Sequence, residues 1–376
     1  MEVTSLDKKV IKNYNWPLLL LIIAISLFGL LMVGASTESG DVTLATLFSS
    51  HYFTRQLIFL VVGLAGMFIL SLIDYNEWRH FVIPIYLFCL ALLVLVIFKG
   101  HQAGGSQRWI SVGFFNLQPS ELAKVGLVIT LSAVMAKEGR TVDSWSDLII
   151  PFVHVALPMF VVFMQPDLGT SLVFVAITVP ILFVAGMRWL HLGVLSVGSI
   201  IASVFAFLFV LKPYQKSRLI IFRDPSQDYF GDGWQIIQSK IAIGSGQFRG
   251  RGLFQGTQNH LDFLPEKHTD FIFSVVGEEL GFIGAALFLL VYLLMILQIL
   301  RVGMSAKDSF GRYLCIGVAS MLIFQVLVNV GMTISIMPVT GIPLPLISYG
   351  GSSFLATIVG LGLVLSVSAH RDTSIF

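Results

Sequence analysis

About ten stretches of this chain are apolar for long enough to cross a lipid bilayer, which takes ~20 such residues, and no other feature limits its fold as much. They lie near Leu18–Ala35, Gln56–Ile73, Phe81–Phe98, Glu121–Ala136, Leu148–Met164, Leu168–Ala185, Leu190–Leu211, Phe271–Leu300, Leu314–Ile336 and Phe354–Ser368. In hydrocarbon every backbone N–H and C=O must be paired within its own segment, so runs of this length become helices. Of the 376 residues, 56% are hydrophobic and 12% charged; a soluble domain carries about 25% charged residues. The expected fold is an all-α polytopic membrane protein, one integral membrane domain with a large extracytoplasmic loop between the seventh and eighth helices. A net charge of +2 gives no footing for a nucleic-acid partner. Cys89 and Cys315 both sit inside apolar runs and read as packing residues.

Basic residues set the orientation. With a cytoplasmic N-terminal tail over residues 1–16, the inside connections hold Arg79, Lys137, Arg140, Arg188, Arg301, Lys307, Arg312 and Arg371, besides Lys8, Lys9 and Lys12. The short outside connections hold Arg55, Lys99 and Arg108. That asymmetry obeys the positive-inside rule and places both termini in the cytoplasm. The first apolar run continues too far for a signal peptide and reads as a span. Lys212–Asp270 then lies outside, and at about 60 residues it is long enough to escape the charge rule.

The outer segments are polar and irregular. Within the long loop, Trp234–Ile243 has helical spacing at Trp234, Ile237, Ile241 and Ala242, which suits a helix lying on the membrane face. Glycines follow over Gly244–Gly256. Gly100–Ser120 is glycine-rich and ends in Arg108–Trp109 and Gln118–Pro119–Ser120–Glu121. Gln165–Pro166–Asp167 repeats the Gln-Pro theme. Met337–Ser353 carries Pro338, Pro343 and Pro345, which forbid a regular helix. Irregular backbone at membrane depth is tolerated within protein or beside a polar cavity. These segments are expected to converge on one site that opens outward.

The densest polar cluster is Phe263–Asp270, which holds Glu266, Lys267, His268 and Asp270 at the entry to an apolar run. Asp270 can accept a proton from a sugar hydroxyl, but Thr269 or Asp270 before an apolar run is a standard helix start, and spacing alone favours the cap. Glu266 and Asp262 are rival carboxylates, each readable as a solvated loop charge. Glu121 and Lys124 stand three residues apart inside a span, where charges mark function or pair with each other. Asp167 reads as a helix-end carboxylate in water. Arg108 and Trp109 suit a phosphate and a sugar ring, or an interfacial belt. Lys212, Lys216, Arg218, Arg223, Lys240, Arg249 and Arg251 make the long loop basic, which fits a pyrophosphate or anionic lipid headgroups. Glu278 and Glu279 are expected at a wet edge. From the residues alone, a transporter fits about as well as an enzyme.

Five ordered motifs add to this: KGHQAGGSQRWISVGFFNLQPSELAK (Lys99–Lys124), QPDLGTS (Gln165–Ser171), QSKIAIGSGQFRGRGLFQGTQ (Gln238–Gln258), FLPEKHTDFIFSVVGEELG (Phe263–Gly281) and GIPLPLISYGGSS (Gly341–Ser353). Over essentially its whole length the chain resembles the SEDS family of shape, elongation, division and sporulation proteins. The Gly256–Gln258 ending and short N-terminal tail are nearer its rod-shape branch than its division branch. The resemblance implies a peptidoglycan glycosyltransferase of the inner membrane that polymerises lipid II for cell-wall elongation. It implies a class B penicillin-binding protein as partner transpeptidase, and surrounding membrane lipids. It assigns the essential carboxylate to Asp270, and supporting roles to Trp109, Asp167, Glu121, Lys124 and Arg218. Arg108, Lys240, Glu266 and His268 complete the candidate set. Basic side chains, or a divalent cation such as Mg or Mn, would neutralise the departing pyrophosphate; no residue is assigned as a metal ligand. A lipid II flippase and a non-catalytic scaffold are the alternatives.

Overall fold

The computed structural model describes residues 13–38, 42–103, 106–113, 115–137, 142–211, 213–228, 231–260 and 263–371. Lys8, Lys9, Lys12, Arg140, Lys212 and Asp262 lie outside them.

Each of the ten apolar stretches is a helix. The first four spans are α1 (Trp16–Thr37), then, after the short α2 (Leu44–Ser49), α3 (His51–Leu72), α4 (Val82–Lys99) and α5 (Pro119–Met135). Next come α6 (Trp145–Met164), α7 (Leu168–Val184) and α8 (Trp189–Phe205), whose last turn widens to a π-helix over Ala206–Val210. The outer loop folds into α9 (Pro213–Arg223), α10 (Asp232–Gly246) and the single turn α11 (Thr257–His260). The chain closes with α12 (Ile272–Met304), α13 (Ser309–Thr333) and α14 (Gly351–Ala369). Among the described residues, eight helices are long and apolar enough to cross a membrane; α5 and α7, at 17 residues each, are shorter. Local sequence sets the starts. Asn15 accepts from Leu18 N at 3.0 Å with Pro17 in the first turn of α1, and Asp308 does the same for α13 through Gly311 N at 2.8 Å.

The centre of the bundle is α14 and α13, of whose most apolar windows 89% and 67% are buried; the corresponding share of α8 is 0%. A helix apolar on all sides is either a core helix or a lipid-facing one, and these helices are the two cases. A groove of about 530 Å³ lined by Phe207, Leu219, Ile220, Arg223 and Asp224 separates the end of α8 from α9.

The glycine-rich Gly100–Ser120 segment is not all loop. It forms a three-stranded antiparallel sheet, β1 (His101–Ala103), β2 (Ser106–Val112) and β3 (Phe115–Leu117), in the order β1-β2-β3. Trp109 faces His101 across one pair and Ile110 faces Leu117 across the other.

The long loop also departs from expectation. α10 seats Ile236, Ser239 and Ala242 against protein, a contact that its apolar spacing does not give, and leaves Ile241 exposed. Ser239 Oγ lies 2.6 Å from Ser274 Oγ and donates to Thr333 O at 2.7 Å, tying α10 to α12 and α13. Serines on a helix hide this face from a reading based on apolar spacing. α12 breaks at Gly281, whose φ of 65° and ψ of −168° no other residue adopts readily. The loop heals the break: Phe282 N and Ile283 N donate to Gln247 O and Phe248 O at 2.8 and 3.1 Å. Arg251 N and Gly252 N donate to Glu278 O and Glu279 O, each at 3.0 Å. Glu278 and Glu279 are therefore not at a wet edge. They are 0% and 1% exposed, and their side chains accept from Gln258 N at 2.8 Å and Phe254 N at 3.1 Å.

Candidate active site

A small apolar cluster, Ile221, Ile236, Leu264, Phe271, Met332 and Val339, joins α9, α10, the Phe263–Asp270 turn, the end of α13 and the Met337–Ser353 segment. The turn rides on this cluster. Glu266 has a positive φ of 51°, and its carbonyl accepts from Thr269 N and Phe271 N, each at 3.2 Å. The N-cap of α12 is Phe271, with no side-chain hydrogen bond to the cap. Neither Thr269 nor Asp270 caps the helix, so the Asp270 carboxylate is not consumed by the backbone.

The surroundings instead aim that carboxylate. Asn329 on α13 donates both amide hydrogens, to Asp270 O at 2.9 Å and to Ile342 O at 2.8 Å. Ser348 Oγ donates to Thr269 O at 2.6 Å and accepts from Leu344 N at 2.8 Å. Tyr349 N donates to His268 O at 2.8 Å. Gly341 has a φ of 72°, and a Cβ there would lie 3.4 Å from Asp270 Oδ2. A side chain at this position would strain the turn and crowd the carboxylate.

Among the described residues, no side chain or backbone group donates to the Asp270 carboxylate, which is half-buried. Its charge feels Glu266, Arg218, Arg108 and Asp167. Burial is the main cause that pushes its pKa up from 3.8 to about 6; Glu266 and Asp167 add to the rise, and Arg218 and Arg108 oppose it. Such a carboxyl is ionised at neutral pH and is a stronger base than an ordinary aspartate.

Arg108 reaches this place from β2 and is held by the QPD turn. Its Nε donates to Gln165 O at 3.4 Å, its Nη2 donates to Pro166 O, and its Nη1 lies 3.7 Å from Asp167 Oδ1. Asp167 is not the solvated helix end expected: it is 3% exposed. It caps α7 through Thr170 N and Thr170 Oγ1 at 3.1 and 2.9 Å. Arg218 projects from α9 and donates to Val339 O at 3.5 Å. Thus Arg108, Asp167, Arg218, Glu266 and Asp270 come from three outer segments and share one electrostatic field.

Trp109 is half-buried beside Arg108. Glu266 is exposed and accepts from Thr269 Oγ1 at 2.8 Å. The His268 ring packs between Tyr52 and Tyr349, 4.4 and 5.7 Å away by centroids. Burial, the dominant cause, lowers its pKa, so at neutral pH it is an uncharged wall. Glu121 and Lys124 are both 2% exposed and form their own ion pair at 2.8 Å. The charges that act most on Asp270 are Glu266, Arg218, Arg108 and Asp167; Lys240 is exposed on α10. Spacing and charge did not single out Asn329, Ser348, Gly341, Tyr52 or Tyr349. Asn329 had a signal, as an amide inside an apolar span. Among the described residues, no three His, Cys, Asp or Glu side chains converge as metal ligands.

Residues 15–373 match the profile of the FtsW, RodA and SpoVE cell cycle proteins. The chain belongs to this family. The SEDS likeness seen in its motifs thus extends through nearly all of the sequence. A relative from Trichlorobacter lovleyi, named a probable peptidoglycan glycosyltransferase FtsW, is 38% identical over 95% of this chain and 93% of its own. The peptidoglycan glycosyltransferase MrdB of Escherichia coli K12 is 38% identical over 84% of this chain and 85% of its own. Among solved structures, one described under the coordination of polymerization and crosslinking by a peptidoglycan synthase complex matches with a TM-score of 0.80. It is 35% identical and covers 96% of this chain and 99% of its own. The rod shape determining protein RodA of Thermus thermophilus matches with a TM-score of 0.70 and 30% identity, over 95% of this chain and 97% of its own.

Proposed function

We propose that this membrane protein is a peptidoglycan glycosyltransferase that polymerises lipid II, with Asp270 as the general base. One observation carries the reading: a half-buried carboxylate with its pKa raised to about 6, taking no hydrogen bond among the described residues, lies within the field of Arg218 and Arg108. The curated relatives bear the same activity in their names, which supports it.

The acceptor is the 4-hydroxyl of a lipid-linked N-acetylglucosamine. Its proton passes to an Asp270 oxygen as its oxygen bonds to the anomeric carbon of a lipid-linked N-acetylmuramic acid. The bond from that carbon to pyrophosphate breaks, with inversion from α to β. The leaving group departs as an anion and requires neutralisation more than a proton; Arg218 and Arg108 are the cations in range of Asp270. No step is routed through a metal ion. The groove between Phe207 and Leu219 suits an apolar chain, with Arg223 at its edge. The site faces the periplasm and both termini the cytoplasm, by the distribution of basic residues. A class B penicillin-binding protein is the partner that crosslinks the product, a reading supported by the likeness to a synthase complex.

The test is polymerisation of lipid II in detergent by the purified chain with its transpeptidase. Asp270→Asn, folded and partner-bound, is expected to lose activity by about 10² to 10⁴-fold, the usual worth of a general base. Wild-type turnover by that variant would overturn the assignment. Glycan strands formed in detergent, where there are no two sides to flip between, separate a polymerase from a flippase.

A further inference from the structure

Two backbone breaks meet at Asp270, and one side chain holds them together. The first is the Phe263–Asp270 turn, which leaves α12 without a side-chain cap. The second is the proline-bearing stretch after α13, where Ile342 follows Gly341. Broken backbone leaves carbonyls with no helical partner, and buried carbonyls need donors. Asn329 supplies one amide hydrogen to each, at 2.9 Å to Asp270 O and 2.8 Å to Ile342 O. It is 0% exposed, and its Oδ1 is buried without a partner. The paired amide hydrogens clamp the peptide of the base against the segment whose glycine lies under its carboxylate.

We infer that Asn329 is the positioning residue for Asp270. By fixing the Asp270 carbonyl relative to Ile342, it sets the distance and direction from which the carboxylate meets the acceptor hydroxyl. The inference rests on the reading of Asp270 as the base. Ser348 adds a parallel tie one residue earlier, from its Oγ to Thr269 O. Asn329 itself touches no reacting atom, so its removal leaves the charges around the carboxylate, Glu266, Arg218, Arg108 and Asp167, where they are.

The experiment compares wild type, Asn329→Ala, Asn329→Ser and Asp270→Asn in complex with the partner, by lipid II polymerisation across pH. Asn329→Ala is expected to lower kcat on the order of 10²-fold, as an ångström of misplacement does, with KM for lipid II little changed. Its acid limb moves to lower pH, because a loosened carboxylate gains water. Asn329→Ser keeps one donor and recovers part of kcat. A purely structural asparagine predicts a lower unfolding temperature with wild-type kcat and an unmoved limb, and that result in either folded variant overturns the inference. If Asn329→Ala does not fold, the serine variant decides. Active Asp270→Asn would instead sink the assignment of the base, whatever Asn329 does.

Discussion

Asp167 and Asp270 stand at the mouths of two apolar helices, and the chain uses them in opposite ways. Asp167 is the N-cap of α7; it accepts from Thr170 N and Oγ1 and faces Arg108. Its charge is stabilised by a helix end, a hydroxyl and a guanidinium, so burial at 3% exposure is tolerable. Asp270 sits one residue before its N-cap, Phe271, and its carboxylate takes no hydrogen bond among the described residues. Burial above all, with Glu266 and Asp167 adding to it, raises its pKa to about 6 against the pull of Arg218 and Arg108. One aspartate builds the wall of the site by holding Arg108, and the other is left free to take a proton. The same residue type at nearly the same helical position thus divides into structure and chemistry by a one-residue offset of the cap.

The sharpest way to break this comparison is to neutralise both. Asp270→Asn should abolish polymerisation as above and at the same time raise the unfolding temperature at pH 8. The sign follows from the raised pKa: the folded state disfavours the ionised form, so the charge costs stability above about pH 6 and nothing below pH 4. The gain over wild type should fade as the pH falls through that window. Next in size is the separate pair Glu121–Lys124. Lys124→Met strands Glu121 in the bundle and should cost about 3–5 kcal/mol, while Glu121→Gln with Lys124→Met recovers most of it. A recovered double variant that still polymerises lipid II would confine this pair to folding. Asp167→Ala comes third, with about 1 kcal/mol lost for the cap and a partial loss of turnover as Arg108 loosens. An increase in stability there, as in Asp270→Asn, would erase the distinction between the two aspartates.

Much of the architecture was legible from hydropathy, because lipid imposes one solution on each long apolar run. Each of the ten apolar runs falls on a helix, including α5 and α7, which are short for a span. Asp270 as the pivotal carboxylate came from the family's motif; spacing alone left it open as a helix cap. What was hidden lay in contacts distant in sequence. The Gly281 break reads as one continuous span until Gln247 and Phe248 are seen to complete its hydrogen bonds. Glu278 and Glu279 read as wet until the same loop covers them. The packed face of α10 was missed because its central residue is Ser239, bonded rather than apolar. Asn329 carries a signal in the sequence as well, because an amide inside an apolar span, like the charges of Glu121 and Lys124, is costly to leave unpaired.

The finest test concerns the charges that tune Asp270. The acid limb of the rate profile should lie near pH 6, since activity needs the ionised carboxylate and is lost as the pH falls through that value. Glu266 raises this pKa and Arg218 lowers it. Glu266→Gln should therefore move the limb to lower pH, and Arg218→Gln should move it to higher pH. The two variants differ in a second respect. Glu266 is exposed and meets no proposed leaving group, so its loss should leave the plateau rate nearly intact. Arg218 neutralises the pyrophosphate in this mechanism, so its loss should also depress the plateau. Limbs that moved together, or a plateau indifferent to Arg218, would mean that the base and the leaving-group site are not the same electrostatic unit. Opposed shifts with a depressed Arg218 plateau tie the free aspartate to the arginine across the site.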